Sequence, residues 1–517
     1  MVDNYAKMQS VKWRKIMGKL LIGWAEESIV PEKKVSLAGQ FFERISEYVE
    51  SEISVTAMAV QADGDEMIMV SADVVKVEPA ILQMARDKFA KLTDEISPEK
   101  LMVAATHSHT SLKLAPTKEY KEQSALTTVK ILEEFLPEGK SYKTLVTPDE
   151  NVITPEEGAD FLTDKIALAA KKAWDNRQES FYANEFGRAV VGMCRRVSYD
   201  DGSAQMWGDV NTANFVALEG GNDSGIELLY TFDKNKKLTG VVANIACPAQ
   251  ILEQRSFISA DYWGRAKAIV REKLGEDVFL LGLCGAGGDQ CPRDLVRWVD
   301  PETPIDDPNV KRPNLLKRKA DPSMYDVSGC NRAGKRIANE IVSVFEEITD
   351  IKEEAVFKHK VIHLNLPLRK ATMSEYNHAV RELEYYIEKN KEKESFNFED
   401  NARMHVHAGT IQRYRMQQFT EVYPIEYHAI RLGDISMVTN PFELFLDYGN
   451  RIKARSYSEQ TFIVQLCCGG GAYLPTEKAE KAGHYSAYIS SGYVGHEGGD
   501  LLVRDSIAQI NEMWSEE

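Results

Sequence analysis

The sequence has 517 residues, of which 43% are hydrophobic and 27% are charged, and its formal net charge is −16. These proportions predict a large buried core and exclude a wholly disordered chain. An acidic surface repels phosphate backbones and anionic lipid headgroups, so nucleic acid is not expected as a partner.

The N-terminal region lacks the apolar core of a secretory signal, because the stretch Leu20–Trp24 is shorter than the roughly 7–15 residues required. No window reaches the roughly 18 apolar residues of a spanning helix, so no membrane anchor is expected. The seven cysteines are odd in number and have no repeated spacing, which indicates reduced thiols. These features predict a cytoplasmic protein.

Strand-like and helix-like segments alternate along almost the whole chain, which predicts a mixed α/β fold. Two strands flank Ala62-Asp63-Gly64-Asp65, a strong hairpin signal. Short apolar runs predict buried strands, and apolar residues at helical spacing predict amphipathic helices. In chain order the predicted strands are Ser54–Gln61, Glu66–Ala72, Lys100–Ala105, Ile226–Phe232, Gly240–Ala246, Val278–Leu283 and Asp434–Val438, and the predicted helices are Glu78–Asp94, Asp160–Trp174 and Asn331–Glu346.

The whole chain is predicted to form one large domain. We expect it to cover residues 1–517, with a core from about 20 to about 505, because no linker separates two independent cores. Residues 300–326 are rich in proline and charge, which predicts a surface loop insertion that is long enough to serve as a lid. Residues 371–420 are predicted to be helical.

The sharpest local signal is Thr106-His107-Ser108-His109, directly after the predicted strand 100–105. Side chains at i and i+2 of an extended chain point to the same side, so His107 and His109 can present two imidazoles to one divalent ion. Neutral imidazole suits zinc, and an open zinc site lowers the pKa of a bound water to about 7. The alternative is two half-buried histidines that hydrogen-bond to backbone carbonyls, and the spacing alone does not separate the two.

A glycine-rich turn follows the predicted strand 278–283. Glycines at a strand end let backbone N–H groups approach a ligand, so Gly287 and Gly288 are candidates for an oxyanion hole, although tight turns also demand glycine. Asp289 and Cys291 lie in the same segment. A neighbouring Arg293 can lower the pKa of the Cys291 thiol and make it a nucleophile, but most cysteines are inert.

Three further positions can carry chemistry. Glu443 follows the predicted strand 434–438, where it can be a ligand, a general base or an acid in the first turn of a helix. Tyr473 lies in a glycine-rich segment that by itself predicts only a loop. Arg195 and Arg196 form a paired cation, which is more often a surface patch than an anion clamp.

Together these segments resemble the amidase domain of the neutral, non-lysosomal ceramidase family, from Ile22 to about Leu502. The resemblance is ordered along the chain and includes the family's Thr-His-x-His zinc motif. It implies an α/β catalytic domain, here without the family's immunoglobulin-like C-terminal domain. The matching segments are Ala105–His109, Asn244–Pro248, Gly287–Pro292, Pro441–Glu443 and Gly471–Tyr473.

The resemblance also implies a hydrolase in which zinc activates water to cleave an N-acyl bond. His107, His109, Glu443 and Tyr473 would be the metal ligands, and Arg195 matches an arginine near the substrate. The expected cofactor is therefore a divalent metal, with zinc as the leading candidate.

Two positions depart from the family pattern. The third histidine ligand aligns with Pro248, whose side chain cannot bind metal, and the nearby groups that can substitute are Cys247, Gln250 and Asp261. The family serine aligns with Cys291, which changes or removes the role of that residue.

We expect a metal-dependent hydrolase that cleaves an amide or related acyl bond in a small, soluble substrate. The alternative is the same fold retooled for a reaction on a carbohydrate or polyol, with weak or no zinc because of Pro248. A binding protein without turnover is a third interpretation, and the sequence allows a homo-oligomer. The candidate catalytic residues are Arg195, Asp261, Asp289 and Cys291, and the candidate substrate-binding residues are Gly287, Gly288 and Gln250.

Overall fold

A computed structural model describes residues 19–40, 42–121, 126–140, 149–296, 326–393, 396 and 398–515. The strands are β1 (Leu21–Ser28), β2 (Lys34–Val35), β3 (Ser54–Ala62), β4 (Asp65–Ala72), β5 (Leu101–Ala105), β6 (Val152–Ile153), β7 (Gln178–Arg188), β8 (Met193–Cys194), β9 (Arg196–Tyr199), β10 (Ala204–Met206), β11 (Phe215–Leu218), β12 (Gly225–Asp233), β13 (Leu238–Ile245), β14 (Phe279–Cys284), β15 (Gln290–Cys291), β16 (Phe357–Pro367), β17 (Val422–Leu432), β18 (Ile435–Thr439), β19 (Glu443–Leu444), β20 (Gln460–Val464) and β21 (Tyr473–Leu474). The helices are α1 (Pro79–Ala90), α2 (Thr128–Phe135), α3 (Pro155–Asp175), α4 (Asp261–Leu274), α5 (Asp326–Glu347), α6 (Met373–Lys389), α7 (Phe398–Met416), α8 (Leu446–Lys453), α9 (Glu477–Ala482) and α10 (His496–Ser515).

The largest sheet has eight strands in the order β14-β13-β12-β7-β1-β3-β4-β5. Most neighbours are antiparallel, but β4 with β5 and β13 with β14 are parallel pairs. The hairpin predicted between β3 and β4 is confirmed. Asp63 and Gly64 both have positive φ, 55° and 81°, as a two-residue turn between twisted strands requires.

Helices pack against this sheet and bury most residues of β3, β4, β5 and β12. The helix α3 begins with a capping box in which Thr154 and Glu157 exchange hydrogen bonds, and its apolar face packs with β1, β3 and β4 in one core. Gly23 on β1 permits this packing, since a Cβ there would lie 2.0 Å from the carbonyl oxygen of Ala173. The apolar faces of α4 and α5 form a second core with β12, β13 and β14.

A second sheet of four strands, in the order β16-β17-β18-β20, stands beside the first. Its β18 and β20 are parallel, and β20 contacts the edge of the large sheet. The side-chain amide of Asn244 on β13 donates to the carbonyl of Ile463, and the backbone N–H of Gln465 donates to the carbonyl of Cys284. The carboxyl ends of β13, β14, β18 and β20 therefore lie together.

The predicted mixed α/β class is confirmed, with helices and a large sheet throughout the described chain. The helical segment predicted at 371–420 contains α6 and α7. The loop insertion predicted at 300–326 lies outside the described residues except for Asp326, the first residue of α5. A single domain over residues 1–517 stays a prediction. In the described part of the chain, no helix combines the length and apolarity needed to cross a bilayer.

Candidate active site

The candidate residues follow the carboxyl ends of strands from both sheets. Loops after β5, β13, β14, β18 and β20 meet there, which is where open α/β sheets place ligands. Backbone hydrogen bonds join these loops directly. The N–H of Ala249 donates to the carbonyl of Thr106 at 3.2 Å, and the N–H of Gly288 donates to the carbonyl of Leu444 at 2.8 Å. Segments that are far apart in sequence thus form one site.

His107 and His109 lie side by side, with ring centroids 4.7 Å apart and ring planes at 72°. Both side chains are buried, and both follow directly after β5. His107 adopts a left-handed backbone conformation with φ of 64°, which is uncommon for a residue other than glycine. The pair predicted from the His-x-His spacing is therefore present as two adjacent imidazoles.

The hydrogen bonds of His107 define its tautomer. Its Nδ1 lies 2.8 Å from the carbonyl oxygen of Val75, which can only accept, so Nδ1 carries the proton. Burial lowers the pKa of His107 to about 4, so the ring is neutral near pH 7. Its Nε2 then has an unused lone pair. This nitrogen lies 3.5 Å from a carboxylate oxygen of Glu443.

His109 lies against an acid that the sequence analysis did not identify. Its Nδ1 is 3.2 Å from a carboxylate oxygen of Glu253, which is buried in the loop after β13. Neither ring nitrogen of His109 has an aligned hydrogen-bond partner among the described residues. Burial acts to raise the pKa of Glu253, but the contact with His109 and the nearby arginines outweigh burial and hold that pKa below its usual value.

Glu443 and Tyr473 are held together by the short parallel pair of β19 and β21. The N–H of Glu443 donates to the carbonyl of Ala472 at 2.9 Å. Gly288 lets the turn after β14 approach this pair, since a Cβ there would lie 2.3 Å from the carbonyl oxygen of Glu443. Burial and the Glu443 charge raise the pKa of Tyr473 well above its usual value, so its hydroxyl is protonated near pH 7.

Arg195 is a buried cation at this site rather than part of a surface patch. Its Nη2 donates to the carbonyl of Gly288 at 2.9 Å and to the Tyr473 hydroxyl at 3.3 Å. Its Nε has no hydrogen-bond partner within the described structure. A fixed guanidinium with one unused donor is suited to bind a substrate oxygen.

Asp261 and Asp289 are buried close to the site and bind backbone N–H groups. Asp261, at the start of α4, accepts from the N–H groups of Leu252 and Tyr262, so it braces the loop that carries Gln250 and Glu253. Asp289 accepts from the N–H of Leu446 at 2.9 Å. Burial raises the pKa of each carboxyl to about 6. Gln250 is buried within the braced loop.

The glycine-rich turn differs from the oxyanion hole expected from its sequence. The N–H of Gly287 donates to the side chain of Gln465, and the N–H of Gly288 donates to Leu444. These donors are already engaged, so an oxyanion-hole role for the turn needs a different conformation. Cys291 is fully buried and burial raises its pKa to about 12, so it is a neutral thiol near pH 7.

Similar proteins were found only through structure: no protein-family model and no curated protein matches the sequence. The neutral ceramidase from Pseudomonas aeruginosa superposes with a TM-score of 0.63 at 12% identity, over 96% of this chain and 75% of that chain. A ceramidase complexed with C2 gives a TM-score of 0.63 at 11% identity, over 96% and 76%. The chain has a neutral ceramidase-like fold. At this identity the likeness establishes the fold and not the reaction.

Pro248 precedes a residue whose backbone is bonded to the histidine segment. The N–H of His109 donates to the carbonyl of Ala249, and the N–H of Ala249 donates to the carbonyl of Thr106. The proline side chain at position 248 offers no ligand atom. Cys247, one of the expected substitutes, is buried, and burial raises its pKa well above the usual value, so it is a neutral thiol.

The donors that remain fit a divalent metal. Two imidazoles and a carboxylate are a usual zinc ligand set, and the Nε2 of His109 has no hydrogen-bond partner among the described residues. These donors are spread more widely than a closed tetrahedral cage. Within the described residues, the one group of three His, Cys, Asp or Glu ligand atoms that all lie within 4.8 Å of each other is elsewhere, at Glu426, His428 and Cys468.

Proposed function

We propose that this protein is a metal-dependent hydrolase that cleaves an amide or related acyl bond in a small polar substrate. One observation carries the proposal: the lone pair of the neutral His107 ring faces the Glu443 carboxylate at 3.5 Å, beside the His109 ring, whose Nε2 has no hydrogen-bond partner among the described residues. Electron-rich groups that face each other in a buried space are stabilised by a cation.

His107, His109, Glu443 and Tyr473 would hold the metal in this proposal. When bound, a divalent metal there would lower the pKa of a water molecule and polarise an acyl carbonyl. Val75 and Glu253 contact the Nδ1 atoms of the two histidines, which leaves both Nε2 atoms for coordination. Such partners orient metal-binding histidines.

Arg195 would orient the substrate through its unused Nε donor. The Tyr473 hydroxyl accepts from Arg195 and also bonds to the Tyr485 side chain, so both contacts hold it in place at the proposed metal site. Charged side chains surround this space, including Glu253 and Arg293. These surroundings support a polar substrate rather than an apolar one.

The test measures metal content and amine release from a panel of small N-acyl substrates. We expect His107→Ala to bind one equivalent of zinc less than wild type and to lose at least about 100-fold in activity, since it removes a ligand. His363→Ala is the matched control, because that histidine is exposed on β16. Equal metal content and equal activity in all three proteins would refute the proposal.

A second candidate is an acid–base reaction on a carbohydrate or polyol. It is favoured by Asp261 and Asp289, whose pKa values of about 6 are close to those of working general acids. The loss of an imidazole at Pro248 would weaken zinc binding in this case. The variant Pro248→His separates the two candidate functions.

A further inference from the structure

A second cluster of metal-binding side chains lies between the two sheets. Glu426 and His428 alternate on β17, so both side chains point to the same face of the strand. Cys468 reaches them from the turn after β20. The Nε2 of His428 is 3.0 Å from an oxygen of Glu426 and 3.5 Å from the sulfur of Cys468.

A chain of hydrogen bonds defines which nitrogen of His428 faces this cluster. The Nδ1 of His359 lies 3.0 Å from the carbonyl oxygen of Glu66, which can only accept, so His359 carries its proton on Nδ1. The Nε2 of His359 lies 2.8 Å from the Nδ1 of His428, so these two nitrogens share one hydrogen bond. The Nε2 of His428 is therefore the nitrogen that faces Glu426 and Cys468.

The other two members of the cluster are also electron-rich. Arg86 donates to both oxygens of Glu426, at 2.9 and 2.7 Å, and holds it as a carboxylate. The described imidazole nitrogen, carboxylate oxygen and cysteine sulfur all lie within 4.8 Å of one another, so one cation can bind all three.

We propose that Glu426, His428 and Cys468 form a second metal site, for a thiophilic divalent ion such as Zn²⁺. Sulfur, imidazole and carboxylate ligands together suit zinc. His359 orients the imidazole ligand through its far nitrogen, as partners of zinc-bound histidines commonly do. The sulfur of Cys467 lies 3.7 Å from that of Cys468, outside the group of three ligand atoms.

Burial of this cluster points to a structural rather than a catalytic role. His428 and Cys468 are 0% and 4% exposed. The N–H of Cys468 donates to the carbonyl of Val103, and Cys467 bridges to Ala104. A metal here would tie β17 to the end of β5, directly before the loop that carries His107.

The competing interpretation is that a proton on His428 Nε2 supplies the positive charge. Cobalt titration of the metal-stripped full-length protein distinguishes the two, because thiolate ligands give Co²⁺ a near-ultraviolet charge-transfer band. The ligands proposed for the active site contain no sulfur, so a metal bound there through those ligands gives no such band. We expect the band to reach the same amplitude at saturation in wild type and in His107→Ala, and to disappear when excess Zn²⁺ is added.

Two cysteine variants control the assignment. We expect Cys468→Ser to lose the band, while Cys330→Ser, which removes a buried thiol on α5, keeps it. His428→Gln is a second test of the site, and circular dichroism establishes that each variant is folded. Absence of the band in folded wild type would show that the cluster holds only a proton. Loss of the band in Cys247→Ser but not in Cys468→Ser would place the sulfur ligand at the active site and overturn the proposal.

Discussion

Glu443 and Tyr473 are register partners in a two-residue parallel ladder, so their side chains project from the same side of it. The Tyr473 hydroxyl then accepts from Arg195, which is anchored on the carbonyl of Gly288. This arrangement sets an acid, a phenol and a guanidinium next to each other although they come from three separate parts of the chain.

If Tyr473 is a metal ligand, Tyr473→Phe removes the ligand atom and keeps the ring. We expect zinc affinity, measured by competition with a chelator, to fall by at least about 10-fold. Tyr457→Phe is the control, because that tyrosine is 70% exposed. Unchanged zinc affinity together with reduced activity would show that Tyr473 is not a metal ligand and acts through its contact with Arg195.

Glu253 is expected to orient His109 through the contact of 3.2 Å. Glu253→Gln removes the charge but keeps the shape, so we expect zinc affinity to fall by about 10- to 100-fold, as for other carboxylate partners of ligand histidines. Glu52→Gln, at an exposed position, should leave the affinity unchanged. Equal affinities of the two variants would count against an orienting role.

Pro248→His should restore a third imidazole, because the neighbouring Ala249 is bonded to both Thr106 and His109. We expect zinc affinity and N-acyl hydrolysis to rise together relative to wild type, with Pro248→Ala as the control for loss of the proline. Tighter zinc binding accompanied by loss of the natural activity would instead favour the carbohydrate or polyol reaction.

Asp261 should make stability depend on pH. Burial raises its pKa to about 6 in the folded protein from an ordinary value of 3.8, so folding favours the protonated carboxyl. The stabilisation from the protonated carboxyl is complete at low pH and is lost as pH rises from about 4 to about 6. Over this range the free energy of unfolding falls by about 3 kcal/mol. Urea unfolding of wild type and Asp261→Asn should show this difference in the free energy of unfolding. If the free energies of unfolding of the two proteins changed with pH in parallel, Asp261 would not make this contribution.

Cys291 should be unreactive in the native protein. It is fully buried with a pKa of about 12, and thiolate is the reactive form. We expect iodoacetamide near pH 8 to label Cys291 only after unfolding in denaturant, as read by peptide mass analysis. Rapid, selective labelling of the native protein would instead support a nucleophilic role for this thiol.

Features governed by neighbours in sequence were predictable. The apolar run before His107 and the His-x-His spacing are both local, and they placed two imidazoles at the end of a strand. The hairpin at Asp63-Gly64 follows from turn chemistry alone. The helix α3 begins at Pro155 rather than at the predicted Asp160, because the capping residue Thr154 precedes the apolar pattern.

Features that depend on sheet pairing were not predictable. Glu253 lies in an irregular loop whose position depends on contacts of Ala249 and Asp261. The only sequence signal for its role was an acidic residue shortly after β13. Cys468 meets His428 only because β18 and β20 pair in parallel. The one local hint of that cluster was a Glu-x-His alternation on a strand, beside a Cys-Cys pair elsewhere.

The left-handed backbone at His107 has a consequence for the stability of this chain. With φ of 64°, a histidine there costs roughly 1 kcal/mol or more compared with glycine. Replacement of His107 by glycine should therefore remove the imidazole and relieve this backbone strain at the same time. The position would trade its candidate chemistry for conformational stability.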